Sequence, residues 1–168
     1  MFFSRWTLFQ GVIIALLAVV AFIADIFKKD IAVPINSSTG TSGQMLMTFL
    51  FIVVVIGLLS LLMYFQTEKS DTFLKHPLWD KMYILMPILF AISLVVILSI
   101  LLIEPLNHFV QNNRWVLYVF IYYVLFLLHV AVLALIHKAK KNIITNQNKI
   151  KYSFIWTTFA LFVILFML

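Results

Sequence analysis

His129 is the one ionisable side chain inside WVLYVFIYYVLFLLHVAVLALI, the uncharged stretch of 22 residues from Trp115 to Ile136. An imidazole donates, accepts and titrates, so it can relay a proton, touch a ligand or hold a neighbouring helix by hydrogen bonds. At 100° per residue, Tyr118 and Tyr122 fall within about 40° of it on a helical wheel and draw a semi-polar stripe down an apolar helix. Ionisable groups in hydrophobic spans face the protein interior and often mark a pathway. The stripe therefore has two readings. In one, His129 is a proton-responsive or ligand-contacting group; in the other it is bonded to a hydroxyl of a neighbouring helix, such as Ser93, Ser99 or Thr157. No Asp, Glu or Lys is available at the same depth to continue a relay, which favours the second.

Asp25, Glu104, His108 and Arg114 lie at the ends of apolar runs that should share one side of a membrane. They would make an ionic cluster with Arg114 bridging the two carboxylates. The simpler account is local: Asp25 pairs with Lys28 or Lys29 one turn on, and Glu104 is solvated at a helix end. The four histidines are spread over different depths, and no two sit four residues apart with a carboxylate near, as helical zinc sites need. Haem held between helices needs histidines on two spans at matching depth, and only one span has any. No metal and no cofactor is expected. The chain lacks cysteine, a phosphate-cradling glycine loop and a nucleophile paired with a base, so no enzyme is expected either.

The element that positions His129 must be a membrane-spanning helix. Twenty-two residues at 1.5 Å each reach about 33 Å, enough for a hydrocarbon core of about 30 Å. The whole composition agrees: 64% of residues are hydrophobic, 11% are charged, and the mean hydropathy is +1.11. A soluble domain carries about half apolar residues. The net charge of +6 does not point to nucleic acid, because Lys138, Lys140, Lys141, Lys149 and Lys151 crowd into one loop beside a span. Such a cluster is first a topology signal and second a contact for anionic lipid.

Taken in order, the apolar runs predict an all-α protein, a bundle of five transmembrane helices at about 6–27, 45–65, 82–103, 115–136 and 152–168, forming a single transmembrane domain over residues 1–168. In the first run Val19-Val20-Ala21 imitates a signal-peptide cleavage site. Its uncharged core, Trp6 to Ala24, is longer than a signal core, and a retained helix is expected. On that helix Gly11, Ala15, Ala18, Ala21 and Asp25 share about a third of the circumference. This is a small-residue face, the kind that lets spanning helices pack closely. The next connection holds Pro34 and a sequon at Asn36. The second connection mixes charges with Phe73, Leu74, Leu78 and Trp79, which suggests a segment in the headgroup layer. Pro87 should kink the third helix near its start. The segment LNHFVQNNR reads as a short turn, and the last run of 17 residues, about 25 Å, calls for little tilt or local thinning.

Summed over alternate sides, the basic residues divide 9 to 3. The positive-inside rule then sets the N-terminus in the cytoplasm and the C-terminus outside, and a bacterial plasma membrane suits the composition. The expected partners are membrane lipids and another membrane protein, or further copies of the chain, with no nucleic acid. Function is expected to be contact within the bilayer, as an accessory subunit of a membrane complex or an immunity-type protein. The alternative is a small oligomeric transporter or channel with His129 in its path.

Overall fold

The computed structural model describes residues 5–27, 42–70, 73–140 and 143–167; Lys28, Lys29, Lys141 and the sequon at Asn36 lie outside them. Among the described residues there is no strand. Six helices follow one another among the described residues: α1 (Arg5–Ile26), α2 (Ser42–Lys69), α3 (Trp79–Leu102), α4 (Glu104–Asn112), α5 (Arg114–Ala139) and α6 (Asn146–Met167). All but α4 are long and apolar enough to cross a membrane.

The helices outrun the apolar stretches that predicted them. The uncharged run 45–65 sits in a helix of 28 residues, because polar residues at either end continue the backbone bonds, and those at the C-terminal end pair with neighbouring helices. The last helix starts at Asn146, six residues before the apolar run, and its 22 residues reach about 33 Å. The added residues, NQNKIK, are polar apart from Ile150, so the helix is longer but its apolar stretch is not. α3 continues through Pro87, whose missing N–H leaves the Tyr83 carbonyl without its usual helical donor.

Two connections differ from their sequence reading. LNHFVQNNR is mostly helical, not a turn: Ile103 is extended (φ −82°, ψ 112°), Pro105 sits in the first turn of α4, and Val110 is buried against the bundle. A proline lacks the N–H that the first turn would leave unpaired, so it starts a helix without cost. In the second connection, Phe73–Lys75 forms a 3-10 turn that drives Leu74 inward, and Trp79 follows it. Both are buried in a cluster with Met63, Val130, Leu133, Ala134 and Ile150. Only Leu78, 59% exposed, keeps to the periphery as expected of a headgroup-layer residue.

α5 is the hub. It packs against each of the other five helices, most extensively α3 and α6, while α2 packs on α1, α5 and α6. α5 also buries the largest share of its apolar window, 39%, against 6% for α3 and 11% for α1. The second core cluster, Ile13, Leu17, Val55, Ile56, Leu59 and Leu125, joins α1, α2 and α5.

Helix direction alternates, so the polar ends meet in two groups. At the lysine-rich end the Gln10 amide donates to Gln66 Oε1 (2.8 Å), Lys69 Nζ to the Thr7 hydroxyl (3.3 Å), and the Gln147 amide to Glu68. These bonds tie α2 to both α1 and α6. At the opposite end Asp25 meets Arg114.

Candidate functional site

The polar side chains of α5 point to three different helices. Tyr122 donates its hydroxyl to the Leu17 carbonyl of α1 (2.9 Å), and Tyr123 is hydrogen-bonded to Ser93 of α3 (3.0 Å between hydroxyl oxygens). His129, fully buried, lies between Ser153 and Thr157 of α6, with Nε2 3.4 Å from Ser153 Oγ and Nδ1 3.5 Å from Thr157 Oγ1. Thr157 was one of the hydroxyls anticipated from sequence. Ser93 goes to Tyr123 instead, and Ser99 donates back to the Val95 carbonyl of its own helix (2.8 Å).

The two hydroxyls beside the imidazole are already engaged with backbone. Ser153 donates to the Ile150 carbonyl (2.9 Å) and Thr157 to the Ser153 carbonyl (2.7 Å), so both hydroxyl protons already lie on backbone. The oxygen lone pairs are what His129 meets. A neutral imidazole has one N–H and one lone pair. It donates to one hydroxyl, and its other nitrogen accepts only if the second hydroxyl turns its proton away from the backbone.

A serine beside an imidazole is the start of a nucleophile–base pair. Here Ser153 is fully buried and no carboxylate orients the ring; the described carboxylates all sit at helix ends or connections. The open grooves of the bundle are lined by other residues. The geometry suits holding α5 against α6.

The tyrosine stripe is not one surface. Tyr118 and Tyr122 meet Phe51 of α2, at ring-centroid distances of 6.5 and 6.3 Å. Two turns, about 10 Å of axis, separate Tyr122 from His129. Buried Leu125 lies in that interval and packs with Val55, Ile56 and Leu59. The two tyrosines and His129 are thus brought to different interfaces with apolar packing between them.

Of the four residues grouped at the opposite end, the structure brings two together. Arg114 Nη1 is 3.9 Å from Asp25 Oδ1, with both side chains about half exposed. Glu104 and His108 are exposed on α4. The alternative partners Lys28 and Lys29 lie outside the described residues. Asp25 and Arg114 border a crevice of about 800 Å³ between α1 and α5, whose wall includes Ala18, Ala21, Tyr118 and Tyr122.

Among the described residues, little packs on the small-residue face of α1. Gly11, Ala15 and Ala18 are exposed and Ala21 half-buried, while α1 packs inward through Ile13, Leu17 and Ala24. A Cβ built on Gly11 meets nothing within 4 Å.

The lysine cluster is divided. Lys138 sits over the Tyr83 ring and Lys140 over the Tyr152 ring, each 4.9 Å from the centroid, and both are exposed. Lys151 is exposed beside a groove between α2 and α6. Lys149 turns inward, 2% exposed, with Nζ donating to Asn146 Oδ1 (3.3 Å). Lys141 lies outside the described residues.

Sequence reasoning passed over Tyr123 and Ser153. Ser153 and Thr157 are one turn apart on a single face, the spacing that brackets a facing side chain, and that signal was readable. Tyr123 carried none, because its partner depends on which helix lies 100° around from Tyr122. Among the described residues no three of His, Asp and Glu gather to hold a metal ion. Comparison of the chain with protein-family models, curated proteins and solved structures finds no match in any of the three.

Proposed function

We propose that this is a non-enzymatic integral membrane protein that acts by contacts within the bilayer, as an accessory subunit of a membrane complex or as an immunity-type protein that occupies a membrane-acting partner. One observation carries the reading: α1 presents Gly11, Ala15 and Ala18 outward, away from its own bundle. Apolar side chains gain little by leaving lipid for another helix. Close backbone approach across small residues does gain contact, so an outward small-residue face suits a second membrane protein or another copy of the chain. The divergence of Tyr122 and His129 to different interfaces supports contact over a solute path. The basic residues favour an N-terminus in the cytoplasm and a C-terminus outside, in a bacterial plasma membrane.

The test is purification from native expression in mild detergent. The wild-type chain is expected in an assembly heavier than its own monomer, and Ala15→Leu, which adds bulk to the outward face, should release it. A wild-type chain that runs only as a monomer, or an assembly indifferent to Ala15→Leu and Gly11→Leu, would sink the reading.

A further inference from the structure

The crevice between α1 and α5 carries its charged groups at one end, with the Tyr118 and Tyr122 rings along the wall below them. Among the described residues its mouth holds one cation and one anion, Arg114 and Asp25, with side chains 51% and 47% exposed, beside Asn112 and Asn113. Below them its wall runs along Phe22, Ala18, Leu17 and Ile14. Ala18 and Ala21 leave a slot that longer side chains would fill. From Asp25 to Ile14 the groove covers 11 residues of helix, about 16 Å, or roughly one leaflet of a 30 Å core. Trp115, 65% exposed, flanks the mouth, where indoles sit at the headgroup level. This is the polarity of a single lipid: a charged head at the boundary and a chain along the slot.

The two charges select the head. At 3.9 Å the ion pair is too long for a hydrogen bond, and Asp25 Oδ1 is buried without a hydrogen-bond partner among the described residues. The exposed part of the Asp25 side chain therefore lies away from Oδ1, and Asp25 is one of the residues that line the crevice. A guanidinium takes phosphate oxygens bidentately. A purely anionic head would gain Arg114 but meet the carboxylate with like charge. A zwitterion satisfies both, provided its cation carries N–H donors for the carboxylate; choline has none.

From this geometry we infer that the α1–α5 crevice is a binding site for a phosphoethanolamine lipid. Its phosphate is held by Arg114, its ammonium by Asp25, and one acyl chain lies along Ala18 and Ala21. The inference requires that the five helices lie in a bilayer and that Ala18, which also belongs to the outward face of α1, is left open to lipid by any protein partner.

Native mass spectrometry of the full chain in mild detergent tests it, with phosphatidylethanolamine, its N-methyl and N,N-dimethyl derivatives, phosphatidylcholine and phosphatidylglycerol of matched acyl chains as probes. The three lipids with an N–H are expected to be retained. The choline and glycerol lipids should bind about tenfold more weakly, the scale of one charge-assisted hydrogen bond. Asp25→Ala, which removes the acceptor, should abolish the distinction between ammonium and choline, Arg114→Gln should weaken every phospholipid, and Ala18→Leu should do so with the head order kept. Equal retention across the methylation series in the wild-type chain overturns the site, and this needs no variant to fold. It is also overturned by a preference that survives Asp25→Ala in protein that elutes as a single species. A lipid-free dimer broken by Ala18→Leu would assign the crevice to a second copy instead.

Discussion

The hydroxyl of Tyr122 on α5 donates to the carbonyl of Leu17 on α1 across 2.9 Å, joining residues 105 positions apart. Leu17 lies inside α1, so this carbonyl also serves the helix and offers its second lone pair to the tyrosine. α1 packs mainly on α2 and touches α5 sparsely, so this bond fixes the depth at which α1 meets the hub.

Tyr122→Phe should remove the bond while keeping the ring against Phe51. Interhelical hydrogen bonds in membranes contribute about 0.6 kcal/mol on average and up to about 2. A loss in that range is expected in thermal unfolding in one detergent. An unchanged transition would mean the bond contributes nothing to the folded state.

At His129 the choice of substitution should matter more than the loss of the imidazole bonds. Both neighbouring hydroxyls already donate to backbone carbonyls, so an apolar replacement orphans no donor. His129→Leu is expected within about 1 kcal/mol of wild type, because volume is kept. His129→Ala opens a cavity in a fully buried site and should cost about 2 kcal/mol or more. If the leucine variant proved the less stable, the imidazole bonds would be stronger than their 3.4 and 3.5 Å lengths suggest.

Two glycines should separate cleanly. A Cβ on Gly57 would stand 3.7 Å from the Phe154 ring, an ordinary contact, so Gly57→Ala is tolerated while Gly57→Leu overpacks the α2–α6 interface by about 1–3 kcal/mol. Gly11 has open space around it, and Gly11→Leu should leave monomer stability unchanged. Unfolding measured on the monomer in detergent compares them; an equal penalty at both positions would contradict the packing described for α1.

Leu74, 1% exposed, and Leu78, 59% exposed, lie four residues apart in the same connection. Leu74→Ala should cost about 2–5 kcal/mol by leaving a void beside Trp79, and Leu78→Ala close to nothing. The same unfolding assay decides it, with a tolerated Leu74→Ala as the contrary result.

Length and polarity along the chain are enough to reveal an all-α protein with five helices fit to span a membrane, because a bilayer imposes one dimension that any unbroken apolar run either meets or misses. The same logic marked His129 as buried, since an imidazole amid hydrocarbon side chains seeks a polar partner. It could not say which of Ser93, Ser99, Ser153 and Thr157 would serve. Hydrophobic patterning leaves each helix free to rotate about its axis when every face is apolar, and the neighbours of a given face are set only when helices pack. Packing sent Tyr122 to α1, Tyr123 to α3 and His129 to α6. It also turned Leu74 and Lys149 inward, paired Asp25 with Arg114, and left Gly11, Ala15 and Ala18 facing out. Each of these depends on contacts between residues far apart in the chain, which local periodicity does not encode.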